Sequence, residues 1–276
     1  MEIMKRILQL VRNQMYLALR QTSFWIGAAV TGGYAAVTFL YDCIRYWGYD
    51  RSGIYSASEL FLYSTYNPFW FAFSMLSPFL GLFVFSMQPA EVKKNHGECY
   101  MISRVTKKEY YVSGAICSVL GTFLVVEVPA LISAVLYRFT FAETGNTFHG
   151  AKYSIAYWKN LNDHGYHIQE LYISHPWMYN LLFSVFFAVG CSIIAFFFFS
   201  CGAVLKKDRR WLLLSAGIMS FVIIQASAYS GYDIYGDIVV SAAGDQSGIP
   251  MIALGCLLII TGVFLLRIAC GETEDE

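Results

Sequence analysis

The sequence predicts an all-α polytopic membrane protein with six transmembrane helices, an N-terminal interfacial amphipathic helix and both termini cytoplasmic. Three observations lead there. Hydrophobic residues make up 57% of the 276 and charged residues only 14%, where soluble domains carry about a quarter because their surfaces must be wetted. Uncharged apolar runs long enough to cross a bilayer recur along the chain. Lysine and arginine gather in alternate connecting segments. So few charges cannot cover a globule, which excludes a soluble cytoplasmic enzyme, and a mean hydropathy of +0.50 excludes disorder. The 19 basic and 19 acidic residues cancel, which argues against a nucleic-acid partner.

Residues 2–20 read as the interfacial helix. Ile3, Ile7, Leu10, Val11 and Met15 recur at helical spacing, while Lys5, Arg6 and Arg12 can reach headgroups. The plainer reading is a basic flank to the first span. A cleavable signal is not expected, because the basic region is too long and no small-residue cleavage site follows. The uncharged run between Arg20 and Asp42 places span one at about 23–41. Span two falls at about 69–88, and a charged cytoplasmic loop, 89–111, leads to span three at 112–137, whose one charge is Glu127. A long outer loop, 139–177, precedes span four at 179–200; spans five and six follow at 211–229 and 249–266. The whole, 1–276, reads as a single transmembrane domain.

Direction follows from the basic residues. With the N-terminus inside, cytoplasmic segments hold 14 lysines and arginines and outer segments 5, so both ends are expected in the cytoplasm. The acidic residues split nine inside and nine outside, with Glu127 between them. Of the seven cysteines, only Cys43 lies near the outer face. They are read as small packing residues and not as a disulfide framework. No phosphate-cradling G-x-x-x-x-G-K-[ST], no H-E-x-x-H and no G-x-S-x-G occurs. The chain is therefore expected to be no enzyme and to carry no ATP site or cofactor of its own.

The densest charge lies in the 89–111 loop, PAEVKKNHGECYMISRVTKKEYY. On charge alone it is a solvated, orientation-setting loop. Its residue order says more. Glu91 just past span two, Gly97 six positions on, the apolar pair Met101-Ile102, then Ser103-Arg104 and Tyr110-Tyr111 opening span three resemble the permease subunits of the ABC type-2 exporter family, particularly bacterial peptide-export and immunity permeases. Many members have Pro before the Ser/Thr-Arg pair and Lys at the start of span three, where this chain has Ile102 and Ser113. The resemblance extends to the whole plan of interfacial helix, six spans and cytoplasmic ends.

It implies that residues 91–109 form a coupling helix docked on a separate ATPase subunit, which binds ATP and Mg and is present in two copies. Glu91 and Glu98 then pair with basic groups on that ATPase, Gly97 breaks the loop into two short helices, and Ser103 and Arg104 anchor it. A second permease copy or a paralogue completes the pathway, in the plasma membrane of a bacterium. Amphipathic or antimicrobial peptides or hydrophobic drugs are the expected cargo. The rival readings are a membrane-embedded sensor or scaffold whose loop binds a regulator, and an ATP-independent transporter or channel.

Three further features stand out. Glu127, two residues before Pro129 and deep in span three, is either hydrogen-bonded to a neighbouring helix or lines the pathway and touches cargo. Ala28, Gly32 and Ala36 form a small-residue stripe that suits a dimer contact or packing within the chain. The outer loop concentrates aromatics and four histidines, but His164, His167 and Glu170 are too few ligands to predict a metal site. The run Phe196 to Phe199 reads as lipid-facing bulk.

Overall fold

The computed structural model describes residues 2–49, 56–61, 69, 73, 76–89, 92, 105–141, 175–204, 209–230 and 249–271. All regular structure among them is helical. Among the described residues, four helices are long and apolar enough to cross a membrane, with spanning segments at Thr22–Arg45, Lys107–Thr140, Trp177–Val204 and Ile252–Gly271. Two shorter apolar helical stretches, Ser77–Ser86 and Trp211–Val222, fall in the segments predicted as spans two and five.

Helix α1, Glu2–Arg20, is amphipathic as its spacing predicts. Ala18 and Gln14 are buried and Ile7, Leu10, Val11 and Met15 half-buried, while Lys5, Arg6 and Arg12 are exposed. The buried side packs on the first turns of α5, Lys107–Thr140, where the Gln14 amide donates to the Tyr110 carbonyl at 3.4 Å. The chain turns at Gln21 into α2, Thr22–Arg45. Trp25 holds that corner by donating its indole N–H to the Leu19 carbonyl at 2.9 Å, and Arg20 lies over the Tyr16 ring and donates to its hydroxyl.

At about 1.5 Å per residue, α2 with 24 residues exceeds the roughly 30 Å hydrocarbon core. It continues four residues beyond the predicted end of span one, and Asp42 is buried inside it. Its buried face repeats at Gly27, Thr31, Ala35, Thr38 and Asp42. Short α3, Ala57–Leu60, tucks Ala57, Leu60 and the following Phe61 into the core.

Helix α4, Ser77–Gly81, runs straight into a π-helical turn at Leu82–Ser86. This short element is the hub of the bundle: α2, α5, α6 (Pro176–Val204) and α7 (Arg209–Ser230) all pack around it. Leu80, Leu82, Val84, Phe85 and Ser86 are at most 1% exposed. Gly81 makes the closeness possible, since a Cβ there would stand 2.9 Å from the Ala195 nitrogen and 3.1 Å from the Cys191 carbonyl oxygen. Helix α8, Ile249–Gly271, lies along α6.

The Phe196–Phe199 run is not lipid-facing bulk. Phe198 and Phe199 are each 1% exposed, and Phe196 and Phe197 are half-buried. Phe199 stacks on Phe85 with ring centroids 6.3 Å apart and fills the space above Gly114, where a Cβ would lie 2.5 Å from its ring. Two glycine-lined neighbours draw these rings inward, a placement that periodicity on α6 alone does not show.

Two of the three nearest atoms facing Gly81, the Ala195 nitrogen and the Cys191 oxygen, are backbone and cannot step aside. Gly81→Ala is expected to cost about 1–3 kcal/mol through overpacking. Nothing lies within 4 Å of a Cβ at Gly32, so Gly32→Ala is expected to cost nothing. Denaturing-detergent unfolding midpoints of the two variants check both outcomes.

Candidate functional site

The charged loop enters the bundle through two anchored ends. On its N-terminal side Met87, Gln88 and Pro89 are buried. On its C-terminal side Thr106 caps α5 with a full capping box. The Thr106 Oγ1 accepts from the Glu109 backbone N–H at 3.3 Å, while Glu109 Oε2 accepts from the Thr106 N–H at 3.3 Å and hydroxyl at 2.9 Å. Such reciprocal caps fix where a helix starts. Tyr110 and Tyr111 are buried immediately after, with Tyr110 also tied to α1 through Gln14. The sequence signal, T-K-K-E at 106–109, is the reciprocal-cap pattern. Glu91, Gly97, Glu98, Ser103 and Arg104 themselves lie outside the described residues.

Three residues before Pro89, one serine joins three elements. Ser86 Oγ, in the π turn, lies 2.6 Å from the Gly81 carbonyl oxygen, 2.9 Å from that of Ala195 on α6, and 2.9 Å from Ser118 Oγ on α5. Ser118 Oγ in turn lies 3.4 Å from the Ala195 carbonyl oxygen. Two hydroxyl protons serve these acceptors, and both serines are fully buried. Single π turns inside helices are frequent at functional positions.

Glu127 is 5% exposed, enclosed between α5 and α6. Its Oε1 accepts from Ser184 Oγ at 3.0 Å, and its Oε2 is buried with no hydrogen-bond partner. A second carboxyl lies in the bundle where the sequence placed the outer surface. Asp42, 6% exposed, accepts from the Tyr137 hydroxyl of α5 at 2.7 Å. The register could have revealed it, because Asp42 follows Thr38 by four residues on the small-residue face of α2.

Beside Glu127, Pro129 creates a demand that α2 meets. Proline has no N–H, so the carbonyl four residues back, on Val125, has no helical donor. Thr31 Oγ1 stands 2.8 Å from that oxygen. The same hydroxyl lies 3.2 Å from the Gly27 and Ala28 carbonyls of its own helix, so the bond across to α5 is the shortest of the three.

The predicted stripe divides. Ala28 packs against the core around α5, Gly32 has open space around it, and Ala36 is exposed. The small residues that meet α5 are instead Gly27, Thr31 and Ala35. His164, His167 and Glu170 lie outside the described residues. No group of three metal-binding side chains occurs among the described ones. Cys117 and Cys191 are buried in the core, and Cys43 is half-buried.

Among the described residues the regular structure is all helical, four helices are long and apolar enough to cross a membrane, and two carboxyls are enclosed in the interior. Comparison with protein-family models, curated proteins and solved structures found no match.

Thr31→Val is expected to cost about 1–3 kcal/mol, the penalty for orphaning a buried carbonyl. In a Pro129→Ala background, whose restored N–H can serve Val125, the same change is expected to cost much less. A double-mutant cycle of unfolding free energies reads the difference, roughly 0.5–3 kcal/mol. Equal costs in both backgrounds contradict the pairing.

Proposed function

We propose that the chain is the transmembrane subunit of an ATP-driven type-2 ABC exporter with six spans, both termini inside, in a bacterial plasma membrane. Residues 91–109 couple it to a separate ATPase present in two copies. Glu91 and Glu98 face basic groups of the ATPase, Gly97 breaks the loop, and Ser103 and Arg104 anchor it. ATP and Mg stay on that partner. The observation that carries the reading is mechanical: the most charged loop in the chain joins buried Met87–Pro89 to the capped start of α5. A push on such a loop passes into the bundle without being lost in slack chain. The family resemblance of the loop supplies the identity of what pushes.

A second copy or a paralogue completes the pathway, with Gly32 and Ala36 at the contact and Ala28 beneath them. Supporting this is the room around Gly32 and the exposure of Ala36. Cargo is an amphipathic or antimicrobial peptide or a hydrophobic drug. Glu127 meets it only when α5 and α6 part, since the carboxyl is enclosed between them.

Affinity capture of an ABC ATPase co-expressed with the chain tests the coupling. Wild type is expected to retain the ATPase, and Glu91→Lys with Glu98→Lys to lose at least nine-tenths of it (a drop of about 1.4 kcal/mol or more). Capture of a non-ATPase regulator instead, or cargo movement in vesicles without ATP, points to the sensor or the ATP-independent transporter. For Glu127 the readout is transport: Glu127→Gln is expected to lower it, and full transport removes this residue from the pathway.

A further inference from the structure

Helices α5 and α8 both pack along α6, leaving between them a cleft of about 430 Å³. Val119, Leu120 and Phe123 of α5 form one wall and Ile259 of α8 the other. Val189, Ile193 and Phe196 of α6 form the floor. The floor is fixed by glycines on α8. A Cβ at Gly262 would stand 2.6 Å from the Phe196 ring, and one at Gly255 3.8 Å from Ile193. The one lining hydroxyl, Ser192, donates to the Ala188 carbonyl of its own helix at 2.7 Å and offers nothing to a ligand.

We infer that this cleft binds one acyl chain of a bilayer phospholipid. Ligand cavities commonly measure roughly 300–1,000 Å³ and use a few polar groups to fix orientation. Here the size fits and every polar group is spent, so the surface recognises hydrocarbon alone. Depth selects the source. Residues 119–123 lie near the middle of α5, 189–196 near that of α6 and 259 near that of α8. The mouth of the cleft therefore opens at the centre of the bilayer, where acyl chains are the surrounding medium. Leu120, Val189 and Ile259 at that mouth are 44%, 41% and 41% exposed, continuous with the outward surface of the same three helices. A chain in the cleft touches protein on three sides, where a chain on a convex helix touches one, and dispersion contacts add with each neighbour. The inference needs only that these helices cross a bilayer. It holds whether or not the chain couples to an ATPase.

Photolabelling tests it. The full chain is reconstituted into phosphatidylcholine vesicles containing a phospholipid with a diazirine near the end of one acyl chain, irradiated, and mapped by peptide mass spectrometry. Leu124, Phe186 and Ile260 serve as references. They lie at the same depth and are 47%, 44% and 67% exposed, but they do not line the cleft. Several-fold heavier labelling of Leu120, Val189 and Ile259 than of these references is expected. Val189→Trp fills the mouth and is expected to bring labelling at Phe123 and Ile193 down to the reference level, leaving Leu124 unchanged. Circular dichroism and gel filtration confirm its fold, and Leu120→Trp replaces it if it does not fold. Equal labelling of the two sets marks ordinary surrounding lipid and overturns the assignment. So does an absence of label in both, or cross-linking of the cleft to a second copy.

Discussion

The backbone of a chain surrounded by hydrocarbon must satisfy its own polar groups, and Pro129 is the place where α5 cannot. Its missing N–H leaves the Val125 carbonyl without a helical donor. Thr31 of α2 supplies a hydroxyl at 2.8 Å. That bond requires the two helices to lie close, and closeness requires small residues where they meet. Gly27 and Ala35 flank Thr31 on that face. The approach then sets the register further along, where Asp42 meets the Tyr137 hydroxyl at 2.7 Å. A proline in one helix thus orders a polar seam along its neighbour.

The same logic governs the hub. The π turn at Leu82–Ser86 shifts the helical bonding pattern, and Ser86 turns its hydroxyl to the Gly81 carbonyl and to α5 and α6 together. Glycines admit the neighbours. A Cβ at Gly81 meets the α6 backbone, and one at Gly121 lies 2.9 Å from Val84. Short α4 is therefore held from every side, and its C-terminal end leads into the charged loop. The packed hub on one side and the capped start of α5 on the other hold the two ends of that loop.

Much of this was legible in the sequence, and the limits are physical. Hydropathy located the long helices because crossing a bilayer requires an uninterrupted apolar run. The T-K-K-E pattern marks the start of α5 because a reciprocal cap needs only residues three apart. The face of α1 followed from spacing alone. Partner identity was another matter. Thr31 reads as an ordinary β-branched residue until Pro129 of another helix gives it a purpose, and the sequence separation of the bond hides it. Ser184 likewise gains meaning only beside Glu127. The phenylalanines of 196–199 misled for the opposite reason: an aromatic run suits lipid and core equally, and glycines at 114 and 262 decide. The coupling role proposed for residues 91–109 rests on residue order and resemblance.

Asp42 changes the meaning of the chain's neutrality. Counted by span boundaries it belongs to the outer surface, one of nine acids there against five basic residues. In the structure it is interior, so among the described residues the bundle encloses two carboxyls and not one. Each accepts from a hydroxyl of a neighbouring helix, Glu127 from Ser184 and Asp42 from Tyr137. A hydroxyl partner differs from a cation in what happens when helices part. Separating an ion pair in hydrocarbon strands two charges, at a cost that locks the helices together. Releasing a serine or tyrosine strands one polar contact, worth far less. Both interior acids are thus held across helix contacts by neutral hydroxyls, Glu127 between α5 and α6 and Asp42 between α2 and α5. The proline that orders the seam and the tyrosine that closes it on Asp42 both lie on α5, the helix whose capped start follows the charged loop.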